Sequence, residues 1–66
     1  MNKQDVIKSL RKQANGADFV TKAQVSRTLG IDRHTASRYL EGLDRIDGKL
    51  YFVGDVAAKI LQRLGG

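Results

Sequence analysis

Sixty-six residues limit the chain to a single domain, residues 1–66, that buries only about 60% of the surface its unfolded form exposes. With no cysteine and one histidine, His34, the chain has no disulfide staple and no thiolate metal site, and a lone imidazole does not make a zinc centre. Twelve Lys and Arg against seven Asp and Glu leave a net charge of +5, which makes a polyanion the natural partner, and no apolar run approaches membrane-spanning length.

Residues 3–14 read as a helix with Val6, Ile7, Leu10 and Ala14 on one face. Asp5 near its start and Arg11 with Lys12 near its end suit the helix dipole, and Asn15-Gly16 stops it. Its expected role is to cover the back of the elements that follow, with a phosphate contact by its basic residues as the lesser reading. Ala17-Asp18-Phe19-Val20-Thr21 is short and extended, a strand that would join a hairpin further on.

The next stretch, Val20 to Leu40, holds the densest set of local signals. Thr21 is an N-cap, Gln24 completes a capping box, and Val20 with Val25 sit where a hydrophobic staple places them. Gly30 ends this helix by entering the left-handed region. Asp32 caps a second helix that the apolar spacing of Ala36, Tyr39, Leu40 and Leu43 extends over 32–43. Arg33, His34, Ser37, Arg38 and Glu41 are left on its free side. Two cations, an imidazole and a hydroxyl on the early turns of a helix are the groups that bind base edges and phosphates.

The period then changes. Asp47-Gly48 between Leu43-Asp44-Arg45-Ile46 and Lys49-Leu50-Tyr51-Phe52-Val53 is a strong hairpin signal, because both central residues take positive φ. Residues 54–64 read as a last helix, with Asp55 in its first turn. Val53, Ala57, Ile60 and Leu64, with Val56 and Leu61 alongside, make its apolar face wider than one small domain needs. Two packings follow: back onto the first helix, or against a copy of itself, which makes Val53, Ala57, Ile60 and Leu64 candidate dimerisation residues.

These residues carry a resemblance. Small Ser26 at the helix crossing, Gly30 in the turn, Ile31 after it and the run Asp32–Leu40 are similar to the helix-turn-helix of bacterial and phage regulators, the lac-repressor type among them. One departure is Ala36, where a larger aliphatic residue is usual, so the core there is slack or filled by a neighbour. The order helix, short strand, helix-turn-helix, hairpin from Val6 to Val53 resembles the winged helix-turn-helix. The fold expected is therefore mainly α with a small β-hairpin, closed by a C-terminal helix. The junction Phe52-Val53-Gly54-Asp55-Val56-Ala57 has a looser resemblance to small phage excisionases with MerR-like folds.

The resemblance implies a sequence-specific binder of double-stranded DNA, cytoplasmic and nucleoid-associated when bound, with helix 32–43 in the major groove. Arg33, His34, Ser37 and Arg38 would face bases and phosphates, and Thr21 with Lys22 would clamp a phosphate at a helix N-terminus. In that family the wing lies along the backbone or minor groove, which makes Arg45 and Lys49 the candidates here. One such helix has a small footprint, so a homodimer on a repeated or palindromic site is expected. The chain has no paired carboxylates, glycine-rich phosphate loop or nucleophile–base set, so we expect no enzyme, cofactor, metal or small-molecule ligand. A small transcriptional regulator ranks first, an excisionase-type architectural factor second, and a winged-helix protein-docking module is the reading from another class.

Overall fold

The computed structural model describes the backbone of residues 2–65 and the side chains of residues 2–63. The elements are α1 (Lys3–Gln13), β1 (Phe19–Val20), α2 (Lys22–Leu29), α3 (Arg33–Leu40), β2 (Tyr51–Phe52) and α4 (Val53–Gly65). Four helices enclose one apolar cluster, and a two-stranded antiparallel sheet closes one side of it.

α1 begins at Asn2, whose Oδ1 accepts the Asp5 N–H at 2.9 Å. It ends where Asn15 and Gly16 both take positive φ, and the Gly16 N–H returns to the Arg11 carbonyl at 2.7 Å. The Arg11 guanidinium meets Asp18 at 2.9 Å, tying the end of α1 to the approach to β1. Both side chains are about half exposed, so the pair is worth at most about 1 kcal/mol.

β1 joins β2, as the extended stretch before Thr21 suggested, with Val20 opposite Tyr51 facing the core and Phe19 opposite Phe52 facing out. The hairpin is smaller than the sequence promised. Asp47 and Gly48 do take φ of 55° and 73°, but Lys49 joins them in a three-residue turn closed by one bridge, Ile46 to Leu50. Residues 43–45 form no strand. Leu43 packs against the core instead of running beside Tyr51, and β2 takes its partner from β1.

α3 also stops early, at Leu40 rather than Leu43. Glu41 leaves the helix at ψ 131° and Gly42 turns the chain at φ 87°. Leu43 therefore reaches the core from a turn, which satisfies the same apolar spacing without further helix. Ala36 is fully buried, Ile31 is half-buried against the cluster, and Ser26 sits beside them with its hydroxyl donating to the Ala23 carbonyl at 2.9 Å.

α4 packs back onto α1 and α3. Val53, Ala57 and Ile60 are at most 1% exposed, and Val56 is fully buried between them. These three candidate dimerisation residues are thus used by the chain's own core, and a homodimer would have to form through another surface. Leu64, the fourth, lies outside the described side chains. Among the described residues no helix is long and apolar enough to cross a membrane.

Candidate nucleic-acid interface

The helix pair α2–α3 is set by its caps. The Thr21 hydroxyl accepts the Gln24 N–H at 3.2 Å while the Gln24 Oε1 accepts the Thr21 N–H at 2.8 Å, so the capping box is complete. Thr21 is half-buried and its acceptor lone pair is committed there. The free groups at the head of α2 are the N–H of Lys22 and Ala23, which have no carbonyl one turn earlier. Gly30 closes the helix at φ 68°, a left-handed position that costs a residue with Cβ roughly 1–2 kcal/mol.

Asp32 begins α3, its Oδ1 accepting the Thr35 N–H at 2.7 Å. The Thr35 hydroxyl and then its N–H hold the Asp32 carboxyl below the ordinary value of 3.8, with the nearby His34 adding a smaller push in the same direction. A carboxyl whose pKa is lower folded than unfolded stabilises the fold above the unfolded pKa, and this is lost as pH falls through the folded one. Asp32→Asn keeps a capping oxygen without a titrating charge. We therefore expect acid melts in which the native chain loses stability relative to Asp32→Asn as pH drops below about 4. Parallel pH dependence of the two chains would show that the charge on the cap contributes nothing.

α3 buries Ala36 and Leu40 and leaves Arg33, His34 and Arg38 exposed, with Ser37 half-buried at the edge of the free side. Glu41 follows the helix as its C-cap rather than standing on its face. Beside α3 runs a groove of about 280 Å³ in which Lys22, Ser37, Glu41 and Arg45 converge over Leu40, Leu43 and Tyr51. The fold thus brings Lys22, Ser37 and Arg45 together from three separate segments. Arg33, His34 and Arg38 stand outside that groove on α3, and Lys49 is exposed on the three-residue turn, away from its lining.

Arg63, on α4, was not singled out by the sequence. Its guanidinium donates to the Arg38 carbonyl at 3.2 Å and lies 5.2 Å from the centre of the Tyr39 ring. It adds a second donor to a carbonyl that already accepts the Glu41 N–H at 3.4 Å, and places positive charge at that helix's negative pole. No local pattern links positions so far apart in the chain. The one available signal was a tyrosine in the apolar spacing of α3 and an arginine near the end of a helix with a wide apolar face.

Among the described residues no group of histidine and carboxylate side chains is placed to hold a metal. The chain matches no protein-family model, and neither the curated proteins nor the solved structures contain a match to it.

Proposed function

We propose that the chain is a sequence-specific duplex-DNA-binding domain of the winged helix-turn-helix kind, acting as a small transcriptional regulator. The observation that carries this reading is the division of α3. Ala36 and Leu40 hold it in the core, and Arg33, His34, Ser37 and Arg38 lie on its outward side with no ion pair among the described residues. The element order, the capped helix pair around Gly30 and the net charge of +5 point the same way.

In this reading α3 enters the major groove. An arginine there makes a bidentate contact to guanine, and the remaining polar groups bind neighbouring phosphates. The groove holding Lys22, Ser37 and Arg45 receives one backbone strand, with the free N–H groups at the head of α2 aimed at a phosphate. Glu41 in that groove limits how closely an anion sits to the Arg45 side. The wing is a single closed turn, so Lys49 contributes at most one further phosphate contact. Two copies on a repeated site supply the footprint that one short helix lacks.

A regulator of this size acts by occupying or bending DNA or by touching another protein. An excisionase-type factor would present the same surface. The direct run of β2 into α4 at Phe52–Val53, with no loop between, is the observation that favours it as the second reading. Titration of the chain with duplex DNA, followed through its backbone amides, tests the proposal: the perturbed amides should fall on α3 and the head of α2.

A further inference from the structure

We propose that the two ends of α2 grip the two phosphate strands bordering one major groove, and that the second strand lies in a groove between α1 and α2 lined by Lys12 and Arg27. This rests on the duplex-binding reading of α3 and adds to it a surface which that reading leaves idle.

The groove has a volume of about 560 Å³, twice that beside α3, and its lining is Ser9, Lys12, Gln13, Asn15, Arg27 and Thr28. No carboxylate and no apolar side chain is among them. Small-molecule pockets are mostly apolar with a few polar groups, whereas hydroxyls, amides and cations are what phosphate and sugar oxygens accept from. Arg11, next to Lys12, is tied to Asp18 in the ion pair, but neither Lys12 nor Arg27 is paired with any carboxylate among the described residues. Asp5 lines a separate hollow of about 90 Å³ that shares Ser9 and Thr28 with the groove.

One hydrogen bond links the two walls, and a second lies within α2. The Gln24 amide donates across to the Gln13 carbonyl at 3.3 Å, and the Thr28 hydroxyl donates to the Gln24 carbonyl at 2.8 Å.

Its place in the chain decides the occupant. Arg27 lies one turn before Gly30, and Arg33 follows three residues after it, so the two cations flank the same turn at the start of α3. Lys22 marks the opposite end of α2. At 1.5 Å per residue the eight residues of α2 span about 12 Å, and the major groove of B-form DNA is about 12 Å wide. With α3 in the groove, the head of α2 meets one bordering strand and the Arg27 end meets the other.

The test compares the native chain with Lys12→Gln/Arg27→Gln, both exposed positions where glutamine keeps helix propensity. Each lost phosphate contact lowers the slope of log K against log salt by about 0.9, so on a duplex that holds one chain the double variant should be shallower by about 1.8. Its loss of affinity between ~50 and ~200 mM salt should then be about tenfold smaller than the native chain's. On a half-site duplex that holds one chain, neutral methylphosphonate linkages placed on one strand should weaken the native chain and leave the double variant unaffected. The same linkages on the other strand should weaken both. An unchanged slope in a variant that melts like the native chain overturns the proposal, as does loss of sensitivity on the strand that Lys22→Gln/Arg45→Gln also ceases to sense. Failure of the underlying reading looks different: the native chain itself then shows no salt-dependent duplex binding, and this proposal falls with it.

Discussion

Arg33→Ala and Arg38→Ala, made separately, are each expected to weaken binding to a selected duplex by between about 5-fold and 150-fold, the range for loss of a good bidentate base contact. The two losses will differ in kind. The arginine that reads a guanine will lose affinity for the selected site while its binding to random duplex changes little. The one that binds phosphate will lose affinity for both and reduce the salt slope by about 1. Neither change should unfold the chain, because both side chains are exposed and surface substitutions of this kind usually stay within about 0.5 kcal/mol. Arg38 has one structural duty, its carbonyl accepting from Arg63, and that belongs to the backbone, which alanine retains. Binding to selected and random duplex at two salt concentrations, alongside a thermal melt of each variant, separates these outcomes.

Ile60→Ala is expected to cost about 2–5 kcal/mol, the usual range for truncating a fully buried isoleucine. A chain of this length has a total stability of only about 3–10 kcal/mol, so the substitution removes a large part of it. The residue is 0% exposed and belongs to the same core cluster as Ala36 and Leu40 of α3. Its loss leaves a cavity in the core that anchors α3, so DNA binding should decline in step with the folded fraction. Urea or thermal unfolding reads the effect directly. A variant that keeps its melting point while changing its mass in solution would mean that Ile60 serves a subunit contact instead of the core.

Much of the helix pair was legible because its signals are local. Thr21 and Gln24 are three residues apart, Asp32 and Thr35 likewise, and each pair settles a helix end through bonds within one turn. Asn15-Gly16 and Gly30 mark the ends of α1 and α2 for the same reason, since tolerance of positive φ is a local property of the residue. The candidate contacts on α3 followed from its periodicity, which placed Ala36 and Leu40 inside and so left the arginines out.

What was misread depended on distant parts of the chain. Leu43 fits a helical spacing as well as it fits the end of a turn, and only the left-handed Gly42 and the waiting core distinguish the two. The turn at Asp47-Gly48 was visible, but the competition for Tyr51–Phe52 was won by β1 from the other half of the chain. The apolar width of α4 was equally compatible with a dimer. The choice rested on whether α1 and α3 left room for it, which no window of sequence records. Arg63 against Tyr39 and the meeting of Lys12 with Arg27 are likewise consequences of packing, invisible until the helices are placed.

We propose the outward side of α3 as the surface that meets DNA. It is tested most directly by titrating the isotopically labelled chain with duplex and following each backbone amide. Shifts should saturate together at Lys22, Arg33, His34, Ser37, Arg38 and Arg45 and fade as salt is raised. Shifts confined to Phe19 and Phe52 on the outer face of the sheet, or amides of α3 that stay still while duplex binds, would contradict it.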